Sequence, residues 1–458
     1  MKIIIAGLGE AGVSLVKALS TGDHDITVID RDSALVDSVT DRFSVNGVVG
    51  SGASKETLLK AGAEGADFFI ALTHIDEVNL LSCMQAKNQG ARMTVSRLQM
   101  PDLASDVQAL KEEYGIDYIV RPCRDIAEEI YRNLGLPGFV KLEGIFRGTV
   151  TLIDLNVMRD SPLADKSLAE IRKSIREDML ISTVIRNDKL FIPDGNFVVE
   201  VGDILTICAS KESLDDILKT LGIKKDPAKS VVLTGCDLTG EYLARRLIAE
   251  GRKVTILEKE VGRCRELMGL FPEANVICSK GDTTAVLEEV GLGKIGTLIS
   301  MTENDETNLV VSMFAWAKKV PSVITKVDKQ SHVRLLHKVN IDITASPTEL
   351  SVLKILHLIR NNEVLSGSAE TGCYHGFYRV ADGMADVTEF SVGSEFHALD
   401  VPLADKAFNL QKNVLVSGII RDGKLIIPNG SSCLKAGDRL LLTAPVDKKI
   451  KALADAFR

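Results

Sequence analysis

The feature that most constrains this 458-residue chain is that its second half restates its first. V-V-L-T-G-C-D-L-T-G answers I-I-I-A-G-L-G-E-A-G at a shift of 228 residues, which lays Gly235 on Gly7 and Gly240 on Gly12. Glu258 falls on Asp30 at the same shift. T-E-N-D-E-T-N-L answers T-H-I-D-E-V-N-L at a shift of 229, as Lys326 answers Arg97, and Gly281 and Asp282 answer Gly52 and Ala53. Further on, V-P-L-A-D-K answers S-P-L-A-D-K, and I-I-R-D-G-K-L-I-I-P-N-G answers V-I-R-N-D-K-L-F-I-P-D-G. Motifs kept in one order over such a length mark a duplicated structural unit.

The unit opens with Ile3 to Ala6, an apolar run leading straight into Gly7, Gly9 and Gly12 and then a helical apolar pattern. That is the strand, tight turn and helix of a dinucleotide-binding fold. Gly7 permits the turn, Gly9 leaves room for a pyrophosphate, and Gly12 lets helix and strand pack. The N–H groups of the turn and helix start, through Leu8, Glu10 and Ala11, then face an anion. I-T-V-I-D ends at Asp30, eighteen residues past Gly12, close to the spacing of an acid that binds ribose hydroxyls. Arg31 follows it.

Further strands are expected at Val48, Phe68–Leu72, Met93–Ser96 and Ile116–Val120. Six strand–helix alternations define a doubly wound parallel sheet, whose ligands bind beyond the carboxyl ends of its strands. Gly50, Gly52, Ala53, Thr73 and Arg97 lie at such ends. Thr73 either hydrogen-bonds a nucleotide or caps the next helix. Arg97 either neutralises phosphate or pairs with an acid across an interface. His74 reads as solvated or adjacent to the nucleotide.

After residue 139 the pattern changes. T-V-T-L-I-D-L-N-V alternates as a half-buried strand, a helix begins at Leu168, and two strands turn about Asn187–Asp188. The fold class is therefore α/β: two doubly wound parallel-sheet, Rossmann-like domains (1–138 and 230–365), each followed by a small α+β subdomain (139–223 and 366–458). The eight cysteines contain no C-x-x-C and read as reduced core thiols, with no metal site expected. A net charge of −8 disfavours nucleic acid as a partner. Neither a membrane span nor a signal peptide is visible, which points to the cytoplasm.

The copies differ at one telling place: Asp237 stands where Gly9 does. A carboxylate about 4 Å from a phosphate charge costs about 4 kcal/mol at an effective dielectric of about 20. The second half is thus expected to bind nucleotide weakly, differently or not at all, unless Asp237 turns away or a cation screens it.

With the glycine turns, the T-x-x-D-E-x-N of both halves and the P-L-A-D-K and I-P-x-G signatures in view, the chain resembles the TrkA family over essentially its whole length. These are cytosolic regulatory subunits of bacterial Trk potassium-uptake systems, built from tandem RCK domains. The resemblance implies NAD(H) as ligand, with ATP or ADP as alternatives, held by the glycine turn and Asp30, with Gly52, Thr73 and Arg97 beside them and Glu258 in the second half. It implies a homo-oligomeric ring on the inner face of the cell membrane, bound to a potassium transporter subunit and gating it as nucleotide exchanges. It also implies that Pro122–Leu134 and its counterpart Pro347–Ile359 are helices exchanged between RCK domains at the dimer contact, the alternative being ordinary final helices packed on their own sheets. The competing classes are an NAD-dependent oxidoreductase and a sensor of another small anion. The oxidoreductase would need an acid/base group beside the nicotinamide, and the seven histidines do not cluster to supply one. For the other sensor, the segments Ile185–Gly195 and Ile420–Gly430 are candidates for a cyclic dinucleotide.

Overall fold

A computed structural model describes residues 1–458 except 21, 101–106, 138, 176–177, 226–227, 280–283, 329–343, 366–373, 382, 449, 451 and 458. The first unit runs β1 (Lys2–Ala6), α1 (Glu10–Leu19), β2 (Asp25–Asp30), α2 (Ser33–Phe43), β3 (Asn46–Val49) and α3 (Lys55–Lys60). It continues through β4 (Phe68–Ala71), α4 (Asp76–Asn88), β5 (Met93–Arg97), α5 (Val107–Tyr114), β6 (Tyr118–Val120) and α6 (Pro122–Asn133). The strands pair in parallel in the order β3-β2-β1-β4-β5-β6, so the winding reverses between β1 and β4. Ile3 and Ile5 enter one apolar cluster while Ile4 and Ala6 enter another. Both faces of the sheet are covered, which is why β1 is apolar from Ile3 to Ala6.

A small antiparallel sheet follows: β7 (Val140–Ile145), β8 (Val150–Asn156), α7 (Leu168–Ser174), β9 (Met179–Arg186), β10 (Lys189–Phe191), β11 (Ile204–Ser210) and α8 (Leu214–Thr220). Its order is β10-β9-β11-β8-β7. The sequence reading opened this subdomain at β8; V-K-L-E-G-I adds β7 ahead of it, with the inward residues Val140 and Leu142 buried. Asn187 and Asp188 take φ of 52° and 58°, the left-handed pair of a two-residue hairpin turn, where the sequence placed it.

The second unit repeats the first as β12 (Ser230–Thr234), α9 (Leu238–Ala249), β13 (Lys253–Glu258), α10 (Val261–Leu270), β14 (Asn275–Cys278) and α11 (Thr284–Glu289). Then come β15 (Thr297–Ser300), α12 (Asp305–Ala317), β16 (Ser322–Lys326), β17 (Thr344–Ala345) and α13 (Pro347–Leu365). The order β14-β13-β12-β15-β16-β17 matches the first sheet strand for strand. The last sheet, β18 (Tyr374–Val380), β19 (Ala385–Ser391), β20 (Leu415–Arg421), β21 (Lys424–Ile426) and β22 (Arg439–Pro445), runs β18-β19-β22-β20-β21. That is the first small sheet again.

The copies are joined by an exchange of helices. Helix α6, the last of the first unit, packs on α9 of the second, with Ile126, Ala127 and Ile130 in one cluster with Leu243, Ala244 and Leu247. Helix α13, the last of the second unit, packs on α1 of the first, its Val352, Ile355 and Ile359 clustering with Ile3, Ile5, Leu15 and Val16. The exchange expected between RCK domains thus takes place inside one chain. The small sheets also pack against each other, through Phe146, Leu152 and Cys208 on one and Val380, Val387 and Leu441 on the other. Ile185 and Ile420, from the segments weighed for a cyclic dinucleotide, are buried in that same cluster.

Candidate functional site

The first glycine turn is shaped by three different constraints. Gly7 takes a φ of 101°, and a Cβ there would stand 2.7 Å from the Thr73 backbone nitrogen, so the turn crosses the end of β4 with no room for a side chain. A Cβ on Gly12 would stand 2.0 Å from the Gly7 carbonyl oxygen, so helix and turn touch there. At Gly9 a Cβ would meet nothing within 4 Å. Gly9 opens on a cavity of about 530 Å³, which Glu10 and Ala11 also line. No side chain caps the first turn of α1. Its free N–H groups and the positive end of the helix dipole therefore meet the cavity, a setting that suits a phosphate.

The cavity lies at the switch point between β1 and β4, and strand ends bring Asp30, Arg31, Gly52, Thr73, His74 and Arg97 to its wall. Asp30 is held in place by accepting the Leu8 N–H at 2.7 Å and the Asp32 N–H at 3.0 Å. Arg31 reaches Ser51 Oγ at 3.3 Å. Leu8, Gly12 and Ala53, named from the sequence, are not part of this wall; Leu8 and Gly12 act through the turn's geometry. Uncapped helix, open Gly9 and a fixed acid at the next strand end together fit a nucleotide with a pyrophosphate.

The opposite wall belongs to the second half, with Asp237, Thr239, Lys326, Asp328, Thr348 and Ser351. Asp237 and Thr239 are the counterparts of Gly9 and Ala11, so the two glycine turns share one cavity. Sequence reasoning treated them as two separate sites. On this side Asp237 supplies what the first side lacks: Oδ1 accepts the Gly240 N–H at 3.1 Å, capping α9, and Oδ2 lies 2.6 Å from Lys326 Nζ. Of the two exceptions open for Asp237, turning away or a screening cation, the structure supplies the cation from the chain's own Lys326. Burial pushes the Lys326 ammonium pKa down, but Asp237 and Asp328 more than reverse this, so it stays protonated. Burial also raises the Asp328 carboxyl above the ordinary aspartate value.

The entrance to the second turn is filled as well. The Arg263 guanidinium donates to the Cys236 carbonyl at 3.1 Å and to Glu241. Glu258, the counterpart of Asp30, is 8 % exposed and accepts the N–H groups of Cys236, Lys259 and Glu260 at 3.3, 2.8 and 3.1 Å. It does not line the cavity. Gly281 and Asp282 lie outside the described residues.

The shared T-x-x-D-E-x-N motif explains the alternatives left open for Thr73. Asn79 is fully buried and its Oδ1 accepts from Thr73 N at 2.9 Å and Thr73 Oγ1 at 2.7 Å. Its Nδ2 donates to the Thr73 and Arg97 carbonyls, both at 3.0 Å. Asp76 accepts the Gln99 and Met100 N–H groups at 2.7 Å each. Asn308 repeats the pattern on Thr302 and Lys326. The motif is a clamp that ties the ends of adjacent strands under the cavity floor, and the Thr73 hydroxyl is committed to it. Arg97 stands on the clamped strand end with its guanidinium pKa lowered by burial, an effect opposed by Cys123, Asp76 and, from the other half, Asp328.

The small subdomains carry a clamp of their own. Arg186 grips the buried Asp203 through Nε and Nη2, both at 2.7 Å, and Arg421 grips Asp438 with the same two distances. The arginine of the repeated I-R signature is therefore a structural fork. Burial pushes the thiols of Cys83, Cys208 and Cys236 up to about 12, leaving them unreactive.

Two doubly wound units, each followed by a small antiparallel sheet, make a tandem RCK architecture. The TrkA-N domain description matches residues 3–122 and 231–347, and the TrkA-C domain description matches residues 152–222. The chain belongs to the TrkA family. It is 28% identical over 462 residues to the "Trk system potassium uptake protein TrkA homolog" of Archaeoglobus fulgidus, covering all of both chains. With the "Trk system potassium uptake protein TrkA" of Azorhizobium caulinodans it shares 26% identity, over 100% of this chain and 99% of the other. The fold is that of the GsuK RCK domain (TM-score 0.63, 16% identity, 97% of this chain and 92% of that one). It is also that of a GsuK channel bound to NAD (TM-score 0.62, 16% identity, 97% and 77%). Among the described residues, no helix is long and apolar enough to cross a membrane.

Proposed function

We propose that this protein is the nucleotide-sensing regulatory subunit of a membrane potassium-uptake transporter, acting from the cytoplasmic side as a homo-oligomer. The observation that carries the reading is the cavity at the first glycine turn, walled by both halves of the chain. A ligand there touches the N-terminus of α1 and Asp30 on one side and residues around Lys326 on the other, so it bears on the angle between the halves. A ligand shifts such an angle only if it binds one arrangement better than the other. A site walled by two domains meets that condition, since its shape changes whenever they move.

The ligand we assign is a dinucleotide of the NAD(H) type. In support, Asp30 stands where a ribose acid is needed, Gly9 leaves the pyrophosphate its space, and a protein of the same fold is described bound to NAD. The relatives' names as potassium uptake proteins support the partner. Nothing in this reading requires turnover. The test is potassium flux through a co-purified transporter, with and without this protein, as nucleotide is varied. Flux that does not respond to the nucleotide would refute the gating role. Rapid hydride transfer from NADH to a carbonyl substrate would favour the oxidoreductase instead.

A further inference from the structure

Resting on the assignment of the cavity as a nucleotide site, we propose that Lys326 is a phosphate-binding residue lent by the second half to a ligand held by the first, with Asp237 as its resting counter-ion. Lys326 closes β16 of the second unit, is 8 % exposed, and holds its ammonium 2.6 Å from Asp237. Both line the cavity that Gly9, Glu10 and Ala11 open onto from the other side.

The chemistry follows from the count of charges and donors. A lysine ammonium carries three N–H donors, so one contact to Asp237 leaves capacity for a phosphate oxygen. The α1 N-terminus offers partial positive charge and Lys326 a full one, placed on opposite walls. A phosphate between them meets both. Asp237 opposes the same phosphate, because its carboxylate is held within reach by the α9 cap and by Lys326 itself. The pair therefore grades ligands by phosphate charge: Lys326 attracts, Asp237 sets the threshold. It also gives a use to the Asp237 that stands in the second half where the first has Gly9. A residue in Gly9's place in the second copy is free to serve the first copy's ligand, since its own turn is already occupied by Arg263.

The test is calorimetry on the full-length protein with adenosine, ADP and NADH as probes, on wild type, Lys326→Met, Lys326→Arg and Asp237→Ser. Serine keeps an oxygen for the Gly240 N–H, so the α9 cap survives loss of the charge. Expected are an affinity for ADP and NADH about tenfold lower in Lys326→Met, the size of one charge-assisted hydrogen bond, and largely restored in Lys326→Arg. Asp237→Ser should raise the affinity for both ligands several-fold, while adenosine changes less than twofold in every variant. Should wild type bind ADP and NADH but Lys326→Met shift adenosine as much as the phosphorylated ligands, or shift none of them, the lysine's role is overturned and the nucleotide site stands. Should wild type bind none of the probes, both fall.

Discussion

The Lys354 ammonium lies 2.7 Å from the Asp125 carboxylate, joining the two crossover helices that each half lends to the other. The pair is the polar link of an interface whose apolar part is larger: Ile355, fully buried, fills the space over β1 and α1 of the first unit. Neither Rossmann unit is complete without the other's last helix. Residues 1–138 made alone are expected to expose Ile3, Ile5 and Val16 on the uncovered face and to aggregate or self-associate in size-exclusion chromatography. In the full chain, Ile355→Ala should cost about 2–5 kcal/mol by denaturant melting. A monomeric, cooperatively folded fragment would contradict the exchange.

A second expectation concerns the clamp. Asn79→Ala removes four hydrogen bonds to half-buried backbone and hydroxyl groups, of which the Thr73 hydroxyl keeps a second acceptor, the Ile75 carbonyl. A loss of about 2–4 kcal/mol in denaturant stability follows. Asn308→Ala should lose at least as much, since Asn308 makes the same four bonds and also accepts from Ser300 Oγ at 3.1 Å. A stability change confined to one half would mean that the shared motif does different work in the two copies.

Much of this was legible in the sequence. The apolar runs Ile26–Ile29 and Phe68–Ala71 gave parallel strands, because strands covered on both faces are largely apolar. The repeat then carried the assignment from the first half to the second. What the sequence hid was geometry between copies. Asp237 looked like an obstacle to a phosphate because Lys326 is 89 residues away in the chain, yet it lies in contact. The T-x-x-D-E-x-N motif was visible in both halves, but nothing in its spacing tells that the Asn79 amide spans two strand ends. The strand β7 was missed although V-K-L-E-G-I alternates, because Gly144 and the charged Lys141 and Glu143 weaken its apolar signal.

The glycines of the turn separate folding from binding. Gly9 has a φ of −67°, and a Cβ there meets open space, so Gly9→Ala should fold with wild-type stability to within about 0.5 kcal/mol. Its nucleotide affinity should still fall at least tenfold, because the methyl group occupies the ligand's space. Gly12→Ala, whose Cβ would lie 2.0 Å from the Gly7 carbonyl oxygen, should instead destabilise the fold itself. Thermal melts beside titration calorimetry distinguish the two; equal melting temperatures for both variants would refute the distinction.

Glu143 should give the protein a pH dependence. Burial, with the Glu129 and Asp154 carboxylates adding to it and Lys141 and Arg132 opposing, raises its pKa from 4.5 to about 7. An acid whose folded pKa is raised binds its proton more tightly when folded. Its contribution therefore favours folding at low pH and is lost as pH rises from 4.5 through about 7. Denaturant melts across that range should show stability declining with pH, and Glu143→Gln should flatten that part of the slope. An unchanged slope in the glutamine variant would assign the dependence to other groups.

The central claim is that one cavity, built on the first glycine turn, is the nucleotide sensor, and that the second turn serves it rather than binding a ligand of its own. Calorimetry with NADH on wild type, Asp30→Ala and Glu258→Ala tests this most directly. The expected result is about one ligand per chain, an affinity about a hundredfold lower in Asp30→Ala (about 2.7 kcal/mol), and an affinity within threefold of wild type in Glu258→Ala. Two ligands per chain, or equal losses in the two variants, would contradict it.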